Sequence, residues 1–89
     1  MERRHVRVHG RVQGVCFRDT LRQAAVRHGV VGWARNCPDG TVEAVFEGAP
    51  ADVERLVDVA RRGPSGAHVT RLDVSEERVE GLAGFRIVG

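Results

Sequence analysis

The sequence has no lysine and no tyrosine, and all 14 of its Lys/Arg positions are arginine. Its aromatic set is one tryptophan and three phenylalanines. That is a poor start for an RNA-binding sheet, which stacks bases on exposed rings. The two cysteines, Cys16 and Cys37, stand far apart with no second cysteine or paired histidine beside either, so neither zinc spacing nor a disulfide framework is visible. No apolar run approaches the roughly 20 residues needed to span a bilayer. The basic start, Met1 to His5, is not followed by the apolar stretch of about 7–15 residues that a signal peptide carries. A net charge of only +2 is too balanced to imply nucleic acid. The expectation is a soluble, cytoplasmic chain with no nucleic-acid and no membrane partner.

What is present reads as one globular domain over residues 1–89, with 42% apolar and 29% charged residues. From His5 to Val12 the residues alternate, with Val6, Val8 and Val12 on one side and Arg7, His9 and Arg11 on the other, as in a half-buried strand. Gly10 is expected to break it and open a loop. From Phe17 the period changes: Phe17, Leu21, Ala24, Ala25 and His28 fall on one helical stripe, and Gly29 supplies the stop. A second strand is expected from Val30 to Asn36 and a third from Thr41 to Gly48, joined by the Pro38-Asp39-Gly40 turn as an antiparallel hairpin. Pro50 suits the first turn of a second helix striped by Val53, Leu56, Val57 and Ala60 and ended by Gly63-Pro64. Strands over His68 to Ser75 and Phe85 to Val88 complete the chain. The order βαββαβ with a short fifth strand predicts a ferredoxin-like α/β (α+β) two-layer sandwich: a mostly antiparallel sheet with two helices on one face.

Two stretches can carry chemistry. Gly10-Arg11-Val12-Gln13-Gly14-Val15-Cys16-Phe17-Arg18 is a glycine-bearing loop leaving a strand and entering a helix. Loop and first-turn N–H groups lack intrahelical acceptors and can converge on an anion. Arg18 at that position is disfavoured by the helix dipole by about 0.3–1 kcal/mol, a sign that a bound phosphate would reverse. An ordinary solvated arginine after a βα loop accounts for the same residues. Asn36, the only asparagine, stands immediately before the Cys37-Pro38-Asp39-Gly40 turn. It reads either as turn chemistry or as an amide that orients a water.

These two stretches, the second extended to Gly32-Trp33-Ala34-Arg35-Asn36-Cys37-Pro38-Asp39-Gly40-Thr41-Val42-Glu43, resemble the acylphosphatase family. The similarity runs through Gly63-Pro64 to Phe85-Arg86-Ile87. The resemblance implies hydrolysis of the carboxyl–phosphate bond of a small-molecule acyl phosphate. It assigns phosphate binding to the backbone N–H groups of Gln13, Gly14, Val15, Cys16, Phe17 and Arg18, with the Arg18 side chain. It makes Asn36 the water-positioning residue, so that Arg18 and Asn36 are the expected catalytic pair. No cofactor is expected, and without a carboxylate cluster no metal. An even charge balance and the lack of a long apolar edge favour a monomer.

Cys16 near Arg18 also suggests a thiolate phosphatase, but that chemistry spaces the cysteine five residues ahead of the arginine, and here one residue intervenes. A non-catalytic, anion-binding or regulatory module of the same fold is the alternative. It would be marked by loss of Arg18 or Asn36, and both are present.

Overall fold

A computed structural model describes residues 1–89. It contains strands β1 (Glu2–Arg11), β2 (Val31–Asn36), β3 (Val42–Gly48), β4 (His68–Glu77) and β5 (Phe85–Val88), with helices α1 (Phe17–His28) and α2 (Pro50–Arg62). The sheet order is β4-β1-β3-β2-β5. All neighbours are antiparallel except β2 and β5, which run parallel. This is the ferredoxin-like two-layer sandwich that the periodicity predicts.

The pattern of buried residues explains the layers. Val6 and Val8 of β1, Ala34 of β2, and Val42, Ala44 and Phe46 of β3 present one sheet face. The stripe of α1 (Phe17, Leu21, Ala24, Ala25) and that of α2 (Val53, Leu56, Val57, Ala60) close over it as one core. Gly29 ends α1 with a left-handed φ of 67°, and the Val30 N–H returns 2.8 Å to the Ala25 carbonyl. Pro50 opens α2 and Gly63 caps it.

Two strands are longer than the apolar pattern alone predicts. β1 starts at Glu2 rather than His5, and β4 continues to Glu77 rather than ending at Ser75. Cross-strand charge pairing extends them: Arg3 lies opposite Glu77 and Arg4 opposite Glu76. Gly10 does not end β1. The strand passes through it to Arg11 with a bulge between His9 and Gly10, at a φ of 121°. A Cβ there would fall 2.1 Å from the His68 carbonyl oxygen, so the close approach of β4 requires glycine. β2 and β3 each begin one residue later than expected, within ordinary end fraying.

The open sheet face is held by charges. Glu47 is fully buried there, accepting from Arg3 Nη1 at 2.8 Å and from the N–H groups of Glu80, Gly81 and Leu82 at 2.8, 3.2 and 3.1 Å. That anchor ties down the connection into β5 and so positions β5 beside β2. Phe17 and Phe46 are in the core, and Phe85 stacks on Phe46. The phenylalanines thus lie on the helix side of the sheet.

Candidate active site

The loop after β1 enters α1 through Cys16, the N-cap, in a left-handed conformation (φ 62°, ψ 28°) with no side-chain hydrogen bond capping the helix. A non-glycine residue in that region is uncommon and costs of order 1–2 kcal/mol. The Cys16 carbonyl accepts both the Thr20 N–H and the Thr20 hydroxyl, each at 3.0 Å, and these bonds fix the first turn. Together with Gly14, at a φ of 75°, this bends the loop around the positive end of the helix.

A cavity of about 340 Å³ opens at that point, lined by Val12, Gly14, Cys16, Phe17, Arg18, Asp19, Asn36 and Ile87. The fold therefore brings Arg18, on the first turn of α1, to the same hollow as Asn36, the last residue of β2. Of the other loop residues named from sequence, Gly14, Cys16 and Phe17 line the cavity, while the side chains of Gln13 and Val15 do not. Asp19 also lines it, but its carboxylate accepts hydrogen bonds from Arg22 and Gln23, which hold it below its ordinary range. Ile87 supplies an apolar wall, 41% exposed. Nothing local in the sequence points to Ile87, since it reaches the cavity only because β5 pairs in parallel with β2.

The Asn36 end of β2 is held on two sides. The Gln13 side-chain amide donates to the Cys37 carbonyl at 2.8 Å and to the Thr41 carbonyl at 3.0 Å. Arg7 Nη1 donates to the Thr41 hydroxyl at 2.9 Å from the open face. Within the turn, Gly40 N–H reaches the Cys37 carbonyl at 3.0 Å and Cys37 N–H the Thr41 carbonyl at 2.9 Å. Asp39 accepts from the Thr41 N–H and hydroxyl, which keep its carboxyl below the usual range, as expected of a turn residue.

A second hollow, about 400 Å³, lies on the open face between Trp33, Arg35, Glu43 and Val88. Its carboxylate is already engaged: Glu43 accepts from Arg35 and shares a 2.6 Å hydrogen bond with His5 Nε2. Burial alone would raise the Glu43 carboxyl, but His5 and Arg35 outweigh it and hold it low. No three His, Cys, Asp or Glu side chains converge with metal-ligand geometry.

Comparison with known proteins agrees with the motifs. The family model described as Acylphosphatase matches residues 4–87. A curated acylphosphatase of Thermococcus kodakarensis is 55% identical over 87 residues, covering 98% of this chain and 96% of the relative. One from Gloeobacter violaceus is 57% identical over 86 residues, covering 97% and 92%. The crystal structure of acylphosphatase from Bacillus subtilis superposes with a TM-score of 0.96 at 36% identity, covering 100% of both chains.

Proposed function

The chain belongs to the acylphosphatase family, and from that premise we propose how it hydrolyses acyl phosphates to a carboxylate and inorganic phosphate. The phosphoryl group sits in the β1–α1 loop. The backbone N–H groups of Gln13, Gly14, Val15, Cys16, Phe17 and Arg18 donate to its oxygens, and the Arg18 guanidinium forks onto two of them. The Asn36 side-chain amide holds the attacking water in line with the bond to be broken. The observation that carries this reading is the single cavity shared by Gly14, Cys16, Phe17, Arg18 and Asn36 at an α1 N-terminus without a side-chain cap.

So small a set suffices because of the leaving group. A carboxylate has a conjugate-acid pKa of about 4–5 and departs as an anion, so no general acid is needed. What remains is to hold the phosphoryl group, neutralise its equatorial oxygens and aim the water. Those positioning and electrostatic tasks dominate phosphoryl transfer. Asn36 is neutral and cannot serve as a strong base, so the water gives its proton to a phosphate oxygen of the substrate. The cavity is completed within one chain, and residues 1–89 act as one domain and as a monomer. Two free thiols, Cys16 and Cys37, suit a reducing cytoplasm.

The test is phosphate release from a simple aryl acyl phosphate with and without a chelator, with Arg18→Ala as control. Activity that survives chelation and is lost in the variant supports the reading. Equal activity in the variant overturns it.

A further inference from the structure

We propose that the Gln13 side chain is a positioning residue for Asn36, locking the strand end that carries the water-orienting amide to the loop that carries the phosphate. This rests on the roles proposed above for the loop and for Asn36. Gln13 is 23 residues before Asn36 in the sequence, and its side chain turns away from the cavity toward the β2–β3 turn. Both protons of its amide are used there, one on Cys37 O at 2.8 Å and one on Thr41 O at 3.0 Å. Only the NH2 end can serve, because both partners are acceptors. Each carbonyl already takes one N–H from within the turn, so Gln13 bridges the two ends of a closed hydrogen-bonded unit.

The consequence is geometric. Cys37 and Thr41 are each 6% exposed, so water has poor access to replace the lost donor. Asn36 is bonded directly to Cys37, and a displacement of about 1 Å at a positioning group can cost on the order of 10²-fold in rate. The main-chain N–H of Gln13 belongs to the proposed phosphate loop. One residue thus ties both halves of the site together, and phosphate held by the loop is held at a set distance from Asn36.

Gln13→Met keeps length and removes both donors. The expected result is a kcat about 10-fold or more below the native value, with inorganic phosphate inhibition changed less than about twofold. In an Asn36→Ala background the same substitution is expected to change kcat less than about twofold, because the residue acts through Asn36. An equal loss in both backgrounds, an unchanged kcat, or a phosphate affinity that falls with kcat overturns the assignment. Full turnover by Asn36→Ala alone overturns instead the role of Asn36 and this inference with it. The chain has one asparagine and two glutamines, so three side-chain NH2 pairs appear in a proton–nitrogen correlation spectrum. The Asn36 pair is expected to move toward its unstructured position in Gln13→Met, and an unmoved pair also overturns the assignment. If Gln13→Met does not fold, Gln13→Glu decides. Its carboxyl offers one donor, and only when protonated, a form the two facing carbonyls favour, so part of its activity relative to native should return as pH falls toward the ordinary carboxyl value of about 4.3. A flat ratio counts against the proposal.

Discussion

Arg18 and Asn36 face one cavity from different layers of the sandwich, the first from the start of α1 and the second from the end of β2. One side chain carries a permanent charge and the other none. In the proposed mechanism this division separates binding from water placement, so substitutions at the two positions are expected to have different kinetic signatures.

Arg18→Ala is expected to lower kcat/KM for an aryl acyl phosphate by about 10²–10³, the scale of losing a main transition-state donor. Arg18→Lys should recover little of it, because an ammonium keeps the charge but not the planar fork. Steady-state phosphate release checks both, and a lysine variant at near-native rate would contradict the bidentate role.

Asn36→Ala is expected to lower kcat by about 10²-fold while inorganic phosphate still inhibits at nearly the native concentration. Inhibition titrations on native and variant protein read this directly. A parallel collapse of phosphate affinity would mean that Asn36 binds phosphate rather than positions water.

Ile87 gives the cavity its exposed apolar wall. Ile87→Ser should raise KM for an aryl acyl phosphate by about 3–10-fold relative to acetyl phosphate, the range expected from losing partial burial of one to two methylene equivalents. The comparison is between two substrates on one variant, so a general fall in stability cancels.

Glu47 governs acid stability. Burial alone would raise its carboxyl, but the N–H groups of Glu80, Leu82 and Gly81 and the Arg3 guanidinium outweigh it and hold it below the ordinary range. A carboxyl depressed in the folded state adds stability that is present in full above the unfolded value of about 4.3 and is lost as pH falls through the folded one. Glu47→Ala should cost roughly 3–5 kcal/mol at neutral pH by removing the acceptor of three N–H groups and the most buried of the carboxylates paired with Arg3, which keeps Glu77 and Glu80. It should also flatten the acid limb of the stability profile. Urea unfolding at a series of pH values measures both effects.

Both helices were legible because an apolar stripe at helical spacing declares which side is buried, and glycine at Gly29 and Gly63 declares the stop. The ends of β1 and β4 were not, because Arg3, Arg4, Glu76 and Glu77 look like solvated surface until they are paired across strands. Gly10 looked like a strand terminator because the bulge it permits depends on the approach of His68, which is distant in sequence.

The chemistry of the site follows the same division. The amino-acid order alone determined the glycine-bearing β1–α1 loop, the charge of Arg18 and the neutrality of Asn36, since these are properties of residue types and local backbone. Only the tertiary structure decided that Arg18 and Asn36 share a cavity, that Ile87 walls it, and that Gln13 reaches the turn behind Asn36. The partners of Gln13 are main-chain carbonyls, which every residue possesses, so no letter in the sequence marks them. The antiparallel pairing of β3 with both β1 and β2 selects them in space.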